Sequence, residues 1–208
     1  MNFEKLPFDE LVGALASDAP TPGGGTAAAL AGAMGASLAE MVAALTLAKE
    51  KYSASHDAVR PIGEAAASTR ETLLRLAQED SDSYDAVVAA RRLPKDTEEQ
   101  KVERSRRITE TNRLAAEVPM RTAREAGGLL ASIPELAEKG NPNAASDAGA
   151  AALLLEAAVQ GALLNVAINL SGAEDSRFAA QMTEESERIA REATRTRERV
   201  LAIVRKRL

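Results

Sequence analysis

Cysteine and tryptophan are absent from this 208-residue chain, and histidine occurs once, at His56. Without cysteine, disulfides, thiolate zinc sites and cysteine nucleophiles are excluded. A single histidine cannot build a multi-histidine metal site or a Ser-His-Asp triad.

Aromatic residues are also scarce, at 2% of the chain, although 45% of the residues are hydrophobic. Alanine supplies about a fifth of all residues, and alanine has the highest helix propensity. The composition predicts an all-α protein whose core consists of Ala, Leu and Val on closely spaced helices. The length suits a single domain spanning residues 1–208. The net charge of −5 argues against nucleic acid as a partner.

Strongly apolar runs long enough to cross a membrane are lacking as well. The segments 24–45 and 148–170 come nearest, but the first is mostly Ala and Gly, and polar residues interrupt the second. The N-terminal residues include acids and a proline where a signal peptide needs a basic region and an apolar core. We therefore expect a soluble cytoplasmic protein that does not bind a membrane, with both segments buried as helices.

The stretch 22–40, PGGGTAAALAGAMGASLAE, is the most informative part of the sequence. Gly23, Gly24 and Gly25 can adopt backbone angles that other residues avoid, and they lead into a helix whose free N–H groups favour an acceptor or an anion. Small residues then recur every fourth position, so another backbone or a flat ligand can approach closely. Two interpretations remain: a capped, close-packed core helix, or the edge of a ligand site.

Five or six helices are predicted from periodicity and from helix-breaking residues. A short helix covers about 7–17, the glycine-led helix reaches about 51, and a third, capped by Ser53 or Ser55, reaches about 92. Pro94 then interrupts the helical pattern, Thr97 caps a restart, and Pro119 predicts a kink or break. After a turn at 140–143, a helix covers 144–170 and ends at Ser171 and Gly172. A charged surface helix covers about 174–207.

The helix at 144–170 carries a few polar residues in apolar surroundings. Asp147 and Asn165 share one azimuth because eighteen residues make five turns, and Asn169 lies about 40° away. A buried polar group without a partner costs about 1–3 kcal/mol, so these side chains either bond between helices or line a polar cleft. Asp147 also lies in the first helical turn, where a carboxylate caps amides.

An acidic run at 79–85 contains Asp80 and Tyr84, which are four residues apart and so share a helix face. A carboxylate beside a phenol can move protons at a buried site, whereas the alternative is an acidic surface turn with Tyr84 packed inward. Lys49, Lys51 and Lys95 are exposed lysines unless a site recruits them.

Five stretches in this order, at 19–52, 79–87, 93–95, 117–120 and 140–170, carry a resemblance that covers essentially the whole chain. They include APTPGGGTAAAL, EDSDSYDAV, LPK, EVPM and GNPNAASDAGA. Together they resemble the folate-handling cyclodeaminase/cyclohydrolase family, which includes the cyclodeaminase part of formiminotransferase-cyclodeaminase and the stand-alone bacterial methenyltetrahydrofolate cyclohydrolases. The resemblance implies an all-helical homodimer with a folate cleft and with neither a metal nor an organic cofactor.

The resemblance also implies roles for individual residues. Asp80 would be the general base and acid, with Tyr84 beside it and with Lys49 moving protons or lowering the Asp80 pKa. The residues expected to hold the folate are the three glycines of the turn, Lys95, Ser146, Asp147, Asn165 and Asn169.

Two reactions occur in this family, and both pass through a tetrahedral carbon that bridges N5 and N10. The stand-alone length favours a cyclohydrolase that interconverts 5,10-methenyl- and 10-formyltetrahydrofolate. A cyclodeaminase that releases ammonia from 5-formiminotetrahydrofolate is the alternative, and a non-catalytic folate-binding or structural helical dimer is a third.

Overall fold

The computed structural model describes residues 3, 6–171 and 175–208, and this part of the chain is helical, without strands. Five of its seven α-helices are long, and short 3₁₀ turns at Glu50–Tyr52 and Pro142–Ala144 precede the third and the sixth. The helices are α1 Phe8–Leu15, α2 Gly24–Leu47, α3 Ser53–Arg91, α4 Glu98–Leu130, α5 Ile133–Lys139, α6 Ala145–Leu170 and α7 Ser176–Arg205. The prediction of an all-α bundle of long, alanine-rich helices is confirmed.

Helices α2 and α6 lie side by side and antiparallel at the centre of the bundle. Gly24 lies next to Asn165, Gly32 next to Ala158, and Gly35 next to the Ala151 backbone. Most of the buried residues of α2 are Ala or Gly, so the two backbones approach closely, as helices do when the contact residues are small. The small-residue row therefore forms the α2–α6 contact.

The remaining long helices surround this pair through larger side chains. Leu73 of α3 packs over Gly32, and Arg70 of α3 pairs with Glu40 of α2 at 3.0 Å. On the other side, α6 packs against α7, where Val204 lies over Gly149. Glu156 and Gln160 both contact Thr194 of α7 through hydrogen bonds, so they point away from α2, as the azimuths predict.

Helix boundaries agree with the caps and helix-breaking residues predicted from the sequence, with two corrections. Thr97 and Gln100 form a capping box at the start of α4, as predicted. Ser53 is the first residue of α3 rather than its cap, and Tyr52 precedes it without a side-chain cap. Pro119 does not break α4, because one missing N–H costs a single hydrogen bond and the proline is buried in the bundle. Gly172, a predicted helix end, lies outside the described residues.

Two helical segments are long and apolar enough to cross a membrane by length and composition alone. They are Gly24–Leu47 and Pro142–Leu170, and 50% and 44% of their most apolar windows are buried inside the described structure. The buried halves are the α2–α6 contact and the contacts with α3, α4 and α7. The other halves leave apolar side chains exposed, a feature that bears on assembly below.

Candidate active site

The N-terminus of α2 ends against the carboxylate of Asp80, which projects from the middle of α3. Gly23, the N-cap residue, has no side chain to cap the helix. Asp80 takes that role from outside the helix, because it accepts hydrogen bonds from the backbone amide and the hydroxyl of Thr26. The sequence predicts an acceptor or anion at this helix end, and the protein supplies one itself.

Gly25 makes this approach possible. A Cβ built on Gly25 would lie 2.6 Å from Cγ of Asp80, inside the carboxylate. None of the described glycines has a positive φ, and Gly23 has an extended backbone. The expectation of unusual glycine angles is therefore wrong: Gly25 is required for space and not for backbone conformation.

Thr26 anchors the carboxylate from a fully buried position. Its hydroxyl lies 3.1 Å from Oδ2 of Asp80, 3.3 Å from the Ala77 carbonyl and 3.1 Å from the Ser81 hydroxyl. The hydroxyl has one proton, so it donates to Asp80 or to Ala77, and it can accept from Ser81. Sequence reasoning missed Thr26 and Ser81, although a threonine directly after the glycines was a visible signal.

Burial raises the pKa of Asp80 above its ordinary value of 3.8, because a charged carboxylate is poorly solvated between α2 and α3. The hydrogen bonds from Thr26 act in the opposite direction, since they stabilise the ionised form. A carboxylate whose pKa moves toward neutrality accepts and returns a proton more readily at the pH of the cell. This perturbation is typical of functional sites, although structural carboxylates show it too.

Tyr84 and Asn169 line the same cleft near this end of the bundle. They line a cleft of about 130 Å³ between α3, α4 and the end of α6, which also includes Arg91, Asn112 and Ile168. Asn169 donates a hydrogen bond to the Ala115 carbonyl at 2.6 Å. Tyr84 is 43% exposed, so it does not pack inward as one interpretation of the sequence required.

Asn165 lies beside the glycine turn. Its Nδ2 donates to the Gly161 carbonyl at 2.9 Å and would lie 3.4 Å from a Cβ on Gly24. Asp80, the glycine turn, Asn165, Asn169 and Tyr84 therefore occupy one end of the bundle, as a shared site requires. Lys95 is exposed in the connection after α3, and no described residue pairs with it.

Ser146, Asp147 and Lys49 lie at the opposite end. Asp147 and Asn165 are eighteen residues apart on α6, which at the helical rise corresponds to about 27 Å. Lys49 follows the C-terminus of α2, one whole helix length from Asp80. A cation must come within about 4–6 Å to lower a carboxylate pKa, so the expected approach of Lys49 to Asp80 does not occur within one chain. We name these two groups the Asp80 end and the Lys49 end.

The described residues contain no group of three or more His, Asp and Glu side chains that could hold a metal ion. The Asp80 end combines a half-buried carboxylate with the amides of Asn165 and Asn169 and the phenol of Tyr84 at the same end of the bundle, and a carboxylate of this kind can transfer protons. Such a site suits a cationic or hydrogen-bonding substrate. The binding and catalytic roles of the individual residues remain predictions.

Comparison with known proteins identifies the family of this chain and supports its fold. The profile of the formiminotransferase-cyclodeaminase family matches residues 7–188, so the chain belongs to that family. A methenyltetrahydrofolate cyclohydrolase from Methylorubrum extorquens is 40% identical over 91% of both chains. The formimidoyltransferase-cyclodeaminase of Gallus gallus is 31% identical over 97% of this chain, which spans only 37% of that protein.

The fold has a solved counterpart within the family. The crystal structure of formiminotetrahydrofolate cyclodeaminase from Thermotoga maritima matches with a TM-score of 0.87 and 33% identity, over 98% of each chain. The similarity therefore covers the whole bundle, including both the Asp80 end and the Lys49 end.

Proposed function

We propose that this protein is a methenyltetrahydrofolate cyclohydrolase, which adds water to 5,10-methenyltetrahydrofolate to give 10-formyltetrahydrofolate and catalyses the reverse reaction. The observation that carries the proposal is the half-buried Asp80 carboxylate, held at the N-terminus of α2 by Thr26. The Methylorubrum extorquens relative, with 40% identity over nearly equal lengths, supports this activity over the other one in the family.

In the proposed hydration, the ionised carboxylate of Asp80 removes a proton from the attacking water. At the same time the oxygen of that water bonds to the methenyl carbon. The product of this step is a tetrahedral carbon joined to N5, N10 and a hydroxyl. The C–N5 bond then breaks with protonation of N5 by Asp80, and loss of the hydroxyl proton to water leaves a formyl group on N10. The substrate amidinium is cationic, so the nearby carboxylate also favours its binding.

The glycine turn and the amides of Asn165 and Asn169 form the proposed folate-contacting surfaces at this end. Gly23 and Gly24 expose backbone without side-chain bulk, which suits a flat pterin ring. Lys95 is proposed to attract the glutamate tail at the cleft mouth. No metal or organic cofactor is required by these steps.

Cyclodeamination is the second candidate, and the 33% identity to the Thermotoga maritima cyclodeaminase over the whole chain favours it. In that reaction N10 attacks the carbon of the protonated formimino group of 5-formiminotetrahydrofolate, the N10 proton passes to the formimino nitrogen, and the bond from carbon to that nitrogen breaks to release ammonia and leave the 5,10-methenyl cation. The same carboxylate would receive the N10 proton and return it to the leaving nitrogen. Both reactions need a base beside one carbon, so the Asp80 geometry is compatible with either.

The deciding experiment incubates the purified protein with each folate while methenyl absorbance and ammonia are followed together. Loss of methenyl absorbance from 5,10-methenyltetrahydrofolate above the spontaneous rate is expected. Ammonia release from 5-formiminotetrahydrofolate with no effect on the methenyl compound would replace the proposal with the second candidate. Absence of both activities and of folate binding would favour a structural helical dimer.

We also propose that the protein is a cytoplasmic homodimer and not a membrane protein. On α2 the residues Met34, Met41 and Leu45, and on α6 the residues Leu153, Leu164 and Ile168, are exposed. Viewed along its own helix, each exposed row is rotated by about 100° from the row that contacts the other helix, and the sense of rotation is the same in both helices. Because α2 and α6 are antiparallel, these equal rotations bring both exposed rows to the same side of the helix pair. We name these six residues the α2–α6 face.

The α2–α6 face is free of charge. Glu40, the only charged residue of α2, pairs with Arg70, and Glu156 of α6 points to α7. A contiguous exposed apolar surface of this kind marks an interaction site in a monomer. A second copy of the chain would bury it by an isologous contact, the commonest arrangement of oligomers.

A further inference from the structure

We propose that Arg91 binds the glutamate carboxylates of the folate substrate, so that the substrate lies along α3 with its amidinium at Asp80 and its tail at the C-terminus of the helix. The inference rests on the proposed function and adds to it the orientation of the substrate and a residue that selects folates with a glutamate tail. Arg91 is the last residue of α3 and is exposed.

The face of α3 that packs into the core changes in character at Asp80. Leu73 and Ala77 are completely buried on this face. Positions 80, 84, 87 and 91 continue the same row, because spacings of three and four residues return to one side of a helix. Over the eleven residues from Asp80 to Arg91 the azimuth drifts by only about 20°. The row that is apolar inside the bundle therefore presents a carboxylate, a phenol, a valine and a guanidinium at its open end.

The outer part of this row lines the cleft between α3, α4 and the end of α6. The volume of the cleft, about 130 Å³, is well below the roughly 300–1,000 Å³ of pockets that enclose a whole drug-sized ligand. The cleft can therefore hold only part of a folate. Arg91 is the only charged residue among the described residues that line it, so an anionic part of the substrate is favoured there.

The guanidinium of Arg91 has no structural partner. It makes no hydrogen bond or ion pair with any described residue, and the same is true of the Asn112 amide and the Tyr84 hydroxyl in the cleft. An arginine at a helix C-terminus commonly bonds the last carbonyls, but Arg104 already does so here. Its Nε and Nη2 donate to the Arg91 carbonyl at 3.3 and 3.1 Å. The Arg91 guanidinium is thus available to a ligand, and its planar shape matches a carboxylate through two parallel hydrogen bonds.

The order of groups along the row matches the order of groups in the substrate. 5,10-Methenyltetrahydrofolate carries a cationic amidinium, then an aminobenzoyl ring, then the carboxylates of glutamate. Asp80 suits the amidinium, and the exposed ring of Tyr84 suits the aromatic ring. The reverse orientation would place the carboxylates beside Asp80 and the amidinium beside Arg91, so like charges would meet at both ends.

The length of the row also fits this orientation. Asp80 and Arg91 are about 17 Å apart along the helix axis, and helical side chains lean toward the N-terminus of their helix. The Arg91 side chain therefore extends back toward Tyr84 and shortens the distance that the substrate must span. Lys95 lies beyond Arg91 and does not line the cleft, which leaves it to attract the tail from outside.

Substrates with and without glutamate test the proposal directly. The assays compare 5,10-methenyltetrahydrofolate with 5,10-methenyltetrahydropteroate, which lacks the glutamate, in the wild type and in Arg91→Met, which removes the charge and keeps an apolar stem. With the folate, Arg91→Met is expected to lose about 10-fold or more in kcat/KM, mostly through KM, because hydrogen bonds to a charged group are lost. With the pteroate it should match the wild type within about twofold. Arg91→Lys should retain part of the preference for the folate, because it keeps the charge but not the planar fork.

Arg92→Met is the matched control. Arg92 is the neighbouring exposed arginine, lies about 100° further around the helix and does not line the cleft. Its variant should keep the wild-type kinetics with both substrates. An equal loss with both substrates in Arg91→Met would make Arg91 a structural residue, and an unchanged preference for the folate would remove it from the site. Either result overturns the proposal.

Binding measurements separate this proposal from the proposed function. Calorimetric titration with tetrahydrofolate and with tetrahydropteroate needs no turnover, so it applies even to a protein that fails both activity assays. Loss of the preference for tetrahydrofolate in Arg91→Met, and not in Arg92→Met, supports the subsite whichever reaction the protein catalyses. A wild type that binds neither compound, or both equally, overturns the subsite, whereas the proposed function is decided by the activity assays alone.

Discussion

Asp80 concentrates the conflict between stability and function at a single residue. Its carboxylate is half-buried at the end of α2, where the Thr26 amide and hydroxyl hold it. Since burial raises the pKa of Asp80, the fold carries a charge that it solvates poorly at neutral pH. A side chain kept for folding alone would more simply be neutral, so the conflict itself points to function.

Replacing this carboxylate should therefore stabilise the protein where the wild type is ionised. In the wild type the folded-state pKa of Asp80 is above 3.8, so stability falls as pH rises from the unfolded value through the folded one. Asp80→Asn removes that loss, and we expect its melting temperature at pH 7 to exceed that of the wild type by about 2–4 °C, or about 1 kcal/mol. The advantage should vanish near pH 4, and circular dichroism melts over a pH series measure it. A variant less stable at pH 7 would show that the hydrogen bonds from Thr26 outweigh burial.

Thr26 lowers the pKa of the Asp80 carboxylate through its hydrogen bonds. Thr26→Val removes a hydroxyl that lowers the Asp80 pKa, so the rise of kcat/KM with pH should move to higher pH, and activity at neutral pH should fall about 10-fold or more. The valine also leaves the Ser81 hydroxyl without its partner, at a cost of about 1–3 kcal/mol. Thr26→Ser retains the hydroxyl and serves as the control; an unshifted pH profile in Thr26→Val would mean that Asp80 is not the titrating base.

Two neighbouring glycines, Gly24 and Gly25, provide a matched pair of substitutions that tests whether this contact positions the Asp80 carboxylate. Gly25→Ala places a methyl group within the Asp80 carboxylate, whereas Gly24→Ala meets only Nδ2 of Asn165, at an ordinary 3.4 Å. Displacement of a catalytic group by about 1 Å costs about 100-fold in rate, so Gly25→Ala should lose about that factor and Gly24→Ala only a few-fold. Steady-state assays on folded variants decide; equal effects would mean that the Asp80 carboxylate is not positioned by this contact.

At the scale of helices, the antiparallel α2–α6 pair is the element on which the rest of the bundle depends. Gly35 of α2 has little room for a side chain, because a Cβ there would lie 3.0 Å from both the Ala151 carbonyl and Cγ of Leu155. Gly128 on α4 is exposed, and a Cβ built on it has no neighbour within 4 Å. The same residue type thus serves packing in one helix and has no contact in another.

Alanine substitution should separate these two cases. Gly35→Ala is expected to destabilise the fold by about 1–3 kcal/mol through overpacking, whereas Gly128→Ala should stabilise it by about 0.5–1 kcal/mol, because alanine is the better helix former. Urea denaturation at one protein concentration gives both values. Stabilisation by Gly35→Ala similar to that of Gly128→Ala would show that α2 and α6 can separate without loss.

Most of the helical architecture was predictable from local signals. Periodicity, the capping box at Thr97 and the break at Pro94 predict helix boundaries to within a few residues, because these are properties of short segments. The grouping of Asp80 with the glycine turn was predicted only through the family resemblance. The contact of Asp80 with Gly25 and Thr26 depends on how α3 packs against α2, which local patterns do not encode, and for the same reason Lys49 and Asp147 were placed with Asp80 although one chain holds them apart.

At the scale of the whole molecule, the chain leaves one side of its central helix pair uncovered. The α2–α6 face is apolar and uncharged, and its six large residues are all at least 38% exposed. The proposed homodimer covers that surface, and Ile168 of the α2–α6 face also lines the cleft that holds Tyr84 and Asn169. Dimerisation and activity should therefore be lost together.

A charge placed on this face tests that coupling. Leu164 is 73% exposed on α6, and Val102 is 69% exposed on α4, away from the face. Neither side chain belongs to the core, so both Leu164→Glu and Val102→Glu should fold. Any difference between their melting temperatures should come from their oligomeric states. Leu164→Glu should shift the protein to monomers, because an isologous contact buries the new charge twice, and its activity should fall at least 100-fold at low protein concentration. Val102→Glu should remain dimeric and active.

Light scattering across a dilution series, with activity measured at each concentration, follows both properties. A fully active Leu164→Glu monomer would separate catalysis from assembly and leave each Asp80 site complete within its own chain.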